Sequence, residues 1–304
     1  MIEVLFLTSI SRRNAFKEIT RMIYLSSLGE RNKDLKVSIM IIQKMAFMIP
    51  FLLLLLLLPS FILNTANVQP RNSSISLGSS LSPNNNPYWL SESGQFAFGF
   101  YPYGNGFSVG IWFEKIQQKT VVWTVNRDDP PFPSDVTLVL SIEGRLIVRK
   151  KEGQEILIAN ASQSASSASV LDSGNFVLFN SSSGIIWQAF DFPTDTILPS
   201  QRLVPPNMLV SNISETNHTS GKFLIHMQID GNLVQYPVEE VKVETAYWNT
   251  GTFMAGNGVT LNFDIRGQLY LLNASGSNIQ NISDKVSVLN KAAYRATIDA
   301  DGIF

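Results

Sequence analysis

Gln228, Asp230, Asn232, Val234 and Tyr236 stand at alternating positions of the stretch FLIHMQIDGNLVQYP, residues 223–237. Two amides, a carboxylate and a phenol supply both hydrogen-bond donors and acceptors, with one small apolar side chain among them. That combination suits a sugar. A hexose presents hydroxyls that donate and accept in fixed geometry, and Val234 can lie against the C–H face of its ring. Each such hydrogen bond contributes about 0.5–1.5 kcal/mol net. A shallow site of this kind holds one sugar at ~1 mM, roughly −4 kcal/mol. Useful avidity then requires several sites or clustered copies.

The five residues must first be brought together. In one straight strand Gln228 and Tyr236 would stand ~27 Å apart, at about 3.4 Å per step. A hairpin removes the problem. With Ile229-Asp230-Gly231 as a three-residue loop and Gly231 left-handed, Gln228 sits opposite Asn232, His226 opposite Val234, and Leu224 opposite Tyr236. Parity then sends Phe223, Ile225, Met227 and Leu233 to a core face and Gln228, Asn232, Val234 and Tyr236 to the other, with Asp230 at the turn.

Other chemistry has weaker support. Asp128/Asp129 and Asp191/Asp195 could supply a glycosidase acid and base. Both pairs fall in proline-containing turns, where aspartate caps backbone N–H groups. His218 lies inside a glycosylation sequon and His226 beside Gln228; both are weak candidates, and nothing in the sequence points to a Ser-His-Asp triad. Arg127, in NRDDPP, is expected to pair with a carboxylate or a strand-end carbonyl. Trp112, Trp123, Trp187 and Trp248 are expected in the core. With no cysteine and no ligand cluster, no metal and no cofactor are expected.

The chain of 304 residues has room for about two domains. Its net charge of −1 gives no reason to expect a nucleic-acid partner. The first 50 residues hold eight Lys/Arg against four Asp/Glu, and the remainder is net acidic. Met45–Leu63, MAFMIPFLLLLLLLPSFIL, is an apolar run with Lys44 before it and the small residues NTA after it. The leucine block is short for a bilayer span of ~20 residues and closely flanked by prolines. It reads as the core of a signal peptide over 45–66, with a signal anchor as the alternative. Residues 1–44 read as a poorly ordered upstream extension, or else as an amphipathic leader. Sequons occur at Asn72, Asn160, Asn180, Asn212, Asn217, Asn273 and Asn281, all after the apolar run. This one-sided set points to the secretory pathway and to an extracellular location or the outer face of the plasma membrane.

Beyond residue 67 the sequence reads as strands, with short runs of Val, Ile, Phe, Trp and Tyr between Gly, Asn, Ser and Pro. One unit recurs: an acidic or small residue, Gly, one variable residue, then an alternating apolar strand. It appears as SESGQFAFGF (91–100), SIEGRLIVR (141–149), LDSGNFVLF (171–179), QIDGNLVQY (228–236), DIRGQLYLL (264–272) and DADGIF (299–304). Such recurrence means one supersecondary unit copied around a shared core. The same register turns Phe176, Leu178, Leu269 and Leu271 inward. SQSASSAS (162–169) reads as a low-complexity connector or a weak edge strand.

Gln-X-Asp-X-Asn-X-Val-X-Tyr at 228–236 resembles the mannose-binding signature of the bulb-type (monocot mannose-binding) lectins, complete at all five positions. VVWTVNRDDPP (121–131), LDSGNFVLF, WQAFDFPTDTILPSQRL (187–203) and YRATIDADGIF (294–304) are similar to the receptor-kinase branch of that family. The resemblance covers about residues 74–304 and identifies an ectodomain part of a plant G-type lectin S-receptor-like Ser/Thr kinase. It implies an all-β fold, a β-prism of three four-stranded antiparallel sheets with pseudo-threefold symmetry, in two tandem modules. The first would span 75–196 and the second 197–304, incomplete because the chain stops at Phe304 in what should be a strand. The family's EGF-like and PAN modules, membrane helix and kinase are not expected here, so no enzyme activity is expected.

Only one repeat keeps the signature. The equivalent positions are Leu171, Ser173, Asn175, Val177 and Phe179 around Gly174, and Asp264, Arg266, Gln268, Tyr270 and Leu272 around Gly267. Around Gly144 they are Ser141, Glu143, Arg145, Ile147 and Arg149. Two functions stay open: binding of mannose-containing glycans, or a lectin scaffold that recognises a protein partner or a second copy of itself.

Overall fold

The computed structural model describes residues 20–21, 73–117, 119–284 and 293–304. The chain divides into two units, Met1–Gln69 and Pro70–Phe304. In the first, Thr20 and Arg21 alone are described, both helical. The expected signal peptide at 45–66, the rest of the 1–44 extension and Asn72 lie outside the described residues.

The second unit is all-β and is built as β-prisms. Strands are numbered in chain order, and every pairing among them is antiparallel. Three four-stranded sheets come from residues 74–188. One orders β1 (Ser74–Ser76), β10 (Ser167–Val170), β11 (Phe176–Phe179) and β12 (Ile185–Gln188). The next orders β2 (Ser80–Leu81), β7 (Thr137–Leu140), β8 (Leu146–Arg149) and β9 (Glu155–Leu157). The third orders β3 (Tyr88–Leu90), β4 (Phe96–Tyr103), β5 (Gly106–Phe113) and β6 (Thr120–Thr124). Their inner faces meet in one core that includes Phe98, Val109, Leu138, Leu146, Phe176 and Leu178. At its centre the rings of Phe98 and Phe176 stack at 3.8 Å.

Residues 196–297 repeat the plan around a second core of Leu203, Leu209, Ile225, Met227, Leu233, Leu261 and Leu271. One sheet orders β14 (Arg202–Leu203), β19 (Thr260–Phe263), β20 (Leu269–Leu272) and β21 (Asn278–Asn281). The other four-stranded sheet orders β15 (Met208–Ser214), β16 (Asn217–Met227), β17 (Leu233–Pro237) and β18 (Trp248–Asn249). The third has two described strands, β13 (Thr196–Ile197) and β22 (Ala296–Thr297).

Five of the six recurring Gly units share one turn; at Gly94 the loop is one residue longer, with the Ser91 N–H on the Phe96 carbonyl. Gly144, Gly174, Gly231, Gly267 and Gly302 all have φ between +75° and +94°. Each donates its N–H to the carbonyl three residues earlier, and that earlier residue donates its own N–H to the carbonyl just beyond the glycine. This is the three-residue hairpin loop with a left-handed last residue, a conformation that glycine adopts without the steric cost a Cβ brings.

Two sequence expectations are corrected. SQSASSAS does not end in a connector or an edge strand, since β10 lies inside its sheet between β1 and β11. Ala168 and Val170 point into the core, so two small apolar residues at period two suffice to seat the strand. Trp248 is 38% exposed rather than buried, because β18 is a two-residue edge strand. Trp112, Trp123 and Trp187 are buried as expected.

The two sets of sheets share one polar seam. Arg127, just after β6, donates from Nη2 to the Val210 carbonyl at 2.8 Å and from Nε to Ser220 Oγ at 3.0 Å. It meets carbonyls inside β15 and a serine hydroxyl, not the carboxylate or strand-end carbonyl that the sequence suggests. Asp128 accepts the Ser220 N–H and hydroxyl, both at 2.7 Å. Tyr103 donates to Asn217 Oδ1 at 2.7 Å.

Candidate functional site

β16 and β17 form the hairpin that carries the five sugar-type residues. Leu224 pairs with Tyr236, His226 with Val234 and Met227 with Leu233. The Gln228 N–H donates to the Asn232 carbonyl at 2.9 Å, which closes the loop Ile229-Asp230-Gly231. The register is the one that parity requires. Ile225, Met227 and Leu233 enter the second core, while Leu224, Val234 and Tyr236 cluster on the opposite face with Val210 and Ala246.

All five candidate residues therefore share one face and the loop beyond it. Gln228 Nε2 donates to the Tyr236 phenol oxygen at 2.9 Å, so the ends of the motif touch. Asp230, exposed at the tip, accepts the Asn232 N–H on Oδ1 at 3.0 Å. Asn232 Oδ1 accepts from Thr250 Oγ1 at 3.0 Å and from the Thr252 N–H at 3.2 Å. These internal bonds leave a defined set of groups for a ligand. Asn232 Nδ2 and the Tyr236 hydroxyl proton can donate, and the second Asp230 oxygen and Gln228 Oε1 can accept.

The apolar part differs from expectation. Val234 is 2% and Tyr236 4% exposed, packed by Val210 and Ala246. Val234 thus supports the polar groups from beneath rather than offering an open floor. Thr250 and Thr252 were not among the candidates. They fix the Asn232 carboxamide, and their only trace in the sequence is the short polar run TGT after β18. His226 borders the site, and burial holds its pKa below the usual histidine value.

The equivalent hairpin around Gly174 has turned its polar groups on itself. Asn175 Nδ2 donates to Gln188 Oε1 at 2.9 Å, and Asn175 Oδ1 accepts the Phe190 N–H at 3.2 Å. The Asp191 and Asp195 carboxylates are committed as well. Gln188 Nε2 donates to Asp191 at 2.8 Å, and buried Asp195 accepts from Thr194 Oγ1 and Asn212 Nδ2, both at 2.9 Å. Burial pushes the Asp195 pKa up. Among the described residues no group of His, Asp and Glu could hold a metal ion.

The remaining sequons differ in what their amides do. Asn160 and Asn281 are exposed. Asn180 and Asn273 use Oδ1 to accept backbone N–H groups of their own turns. Asn217 Oδ1 accepts from Tyr103 and from the Thr219 N–H. Asn212 instead spends its Nδ2 on Asp195 Oδ2 at 2.9 Å and on His218 Nδ1 at 3.3 Å.

Residues 120–212 match the family described as D-mannose binding lectin. The chain is 40% identical over 248 residues to the G-type lectin S-receptor-like serine/threonine-protein kinase LECRK1 of Oryza sativa subsp. japonica, covering 76% of this chain and 30% of that protein. It is 34% identical over 245 residues to the G-type lectin S-receptor-like serine/threonine-protein kinase RLK1 of Arabidopsis thaliana, covering 74% of this chain and 29% of that protein. The chain thus spans under a third of the length of these relatives. Among solved structures it is similar to the mannose-specific agglutinin from snowdrop (Galanthus nivalis) bulbs complexed with methyl-α-D-mannoside. The TM-score is 0.28 at 21% identity, over 36% of this chain and 84% of that one. For the Colocasia esculenta agglutinin with mannose bound, the TM-score is 0.29 at 25% identity, over 37% of this chain and 84% of that one.

Proposed function

The chain belongs to the bulb-type lectin family, with G-type lectin S-receptor-like kinases as its homologues, and on that premise we propose that it binds mannose-type glycans as the extracellular part of a plant receptor-like kinase. The site is Gln228, Asp230, Asn232, Val234 and Tyr236. The observation that carries this reading is the contact of Gln228 with Tyr236 on the face that also bears Asn232, with Asp230 at its tip. Asn232 donates to one ring hydroxyl and Asp230 accepts from a neighbouring one. The Tyr236 hydroxyl and Gln228 Oε1 complete the set. Each bond is already half-paired within the protein, so its direction is fixed before sugar arrives and little ordering entropy remains to be lost. One such shallow site gives ~1 mM affinity for a monosaccharide. The reading extends to two tandem modules, 75–196 and 197–304, entry into the secretory pathway through 45–66, and glycans on exposed sequons.

The test is a calorimetric titration of the secreted chain with methyl α-mannoside, with methyl α-galactoside as control. Millimolar binding of the first, lost in Asp230→Ala, is the expected result. Silence from a folded chain favours the second reading, a scaffold for a protein partner or a second copy. What supports that alternative is the turning inward of the polar groups at Asn175 and Gln188.

A further inference from the structure

The segment after β18 is bolted to the tip of the hairpin. Thr250 Oγ1 and the Thr252 N–H both bind Asn232 Oδ1, Thr252 Oγ1 donates to the Gly231 carbonyl at 2.8 Å, and the Gly256 N–H donates to the Asp230 carbonyl at 3.0 Å. Between these anchors the chain turns back on itself, with the Ala255 N–H on the Thr252 carbonyl at 3.0 Å. The two residues at the tip of that turn are Phe253, 62% exposed, and Met254, 86% exposed. Met254 has φ +70°, left-handed territory that strains any residue with a side chain. A lone exposed apolar residue needs no explanation. Here a strained turn, tied at both ends to Asp230, Gly231 and Asn232, holds two large apolar side chains in water one peptide away from the Asn232 anchor.

We infer that Phe253 is the platform for a second pyranose, so that the site takes a mannose-type glycan of at least two residues rather than a monosaccharide. The inference rests on the sugar-site reading of Gln228–Tyr236. Its chemistry is that of an aromatic face, which carries partial negative charge and attracts the polarised C–H groups on one side of a pyranose ring. Phe loses little rotamer freedom on contact, and its turn is already fixed, so the added contact is realised as affinity. A polar side chain at 253 would meet the same hydroxyls that water meets and gain little.

The test titrates the full chain with methyl α-mannoside and with an α-linked mannotriose, in parent, Phe253→Ala and Phe253→Trp forms. The parent is expected to bind the trisaccharide about tenfold tighter than the monosaccharide. Phe253→Ala should keep monosaccharide affinity and lose the tenfold gain, and Phe253→Trp should retain it. Equal affinity of the parent for both probes, or a Phe253→Ala chain that keeps the trisaccharide gain, overturns the inference and leaves the sugar site standing. Equal weakening of both probes in Phe253→Ala also overturns it, because the ring would then be serving the hairpin itself. A parent that binds neither probe removes the sugar site and this inference together.

Discussion

Gln228 and Tyr236, at opposite ends of the motif, are joined by a 2.9 Å hydrogen bond from the Gln228 carboxamide to the Tyr236 phenol oxygen. The bond fixes the phenol rotor, so that its proton faces away from Gln228. Tyr236→Phe should therefore lower sugar affinity at least tenfold. It should cost only about 0.5–1.5 kcal/mol of stability, because the buried ring is kept. Tyr236→Ala empties the small cluster with Leu224 and Val234 and should cost about 3–5 kcal/mol. Urea denaturation beside calorimetry separates the two effects. Equal destabilisation by both variants would mean that the hydroxyl, not the ring, holds the hairpin.

Asn232 has two jobs on two atoms. Its Oδ1 holds the 250–252 segment, and its Nδ2 is available to a ligand. Asn232→Ala should lose sugar binding and also destabilise the chain by about 1–3 kcal/mol, since the Thr252 N–H is left without an acceptor. Asn232→Asp keeps the acceptor and removes the donor. That variant should unfold within about 1 kcal/mol of the parent and still fail to bind. Thermal melts with methyl α-mannoside titrations decide it. An Asn232→Asp chain that binds like the parent would take the Asn232 donor out of the site.

The hairpin was legible because its signals are local. An Asp-Gly turn, strict alternation and a left-handed glycine determine register without help from distant residues. The same logic gave the inward placement of Phe176, Leu178 and Leu271. What lay beyond the sequence was tertiary. Nothing in TGT says that Thr250 and Thr252 fold back onto Asn232, because the bond spans 18 and 20 positions. Val234 reads as an open apolar floor until Val210 and Ala246 are packed against its cluster. SQSASSAS reads as at most an edge strand because serine and alanine carry little strand preference, and burial between two neighbours overrides that to make β10 central. Arg127 could be assigned neither its partner nor the strand that supplies it, 83 positions away.

Asn212 should carry no glycan in the folded protein. Attachment replaces one of the two Nδ2 hydrogens, and both are directed at partners, Asp195 Oδ2 and His218 Nδ1. A sugar there would leave one of them, the buried Asp195 carboxylate or the His218 ring nitrogen, without its donor. Asn160 and Asn281 are exposed and free of this conflict. Glycopeptide mass spectrometry of secreted protein should find occupancy at Asn160 and Asn281 and an unmodified peptide at Asn212. Ser214→Ala, which destroys the Asn212 sequon, should leave the total glycan mass unchanged. A mass loss of one glycan in that variant would refute the assignment.

The same seam makes stability sensitive to acid. His218 packs against Tyr101 at 5.8 Å and Tyr103 at 6.0 Å, accepts from Asn212, and shares its surroundings with Arg127 and Asp195. Lys119, Glu215 and Arg295 line the adjoining cleft. Burial, then the Arg127 charge, holds the His218 pKa below its usual 6.5. The native state therefore binds fewer protons than the unfolded chain just below pH 6.5, and stability falls as pH drops through that value towards the lowered one. His226, lowered chiefly by burial, acts in the same direction. Asp195 acts oppositely: its raised pKa favours the fold at low pH and loses that advantage as pH rises through the raised value. His218→Gln keeps an acceptor for Asn212 and removes one titration, leaving the Asp195 and His226 contributions in place. Urea unfolding from about pH 7.5 to 5 should show a shallower loss of stability on acidification in His218→Gln than in the parent. Parallel curves for the two chains would show that His218 titrates freely and that the seam does not sense pH through it.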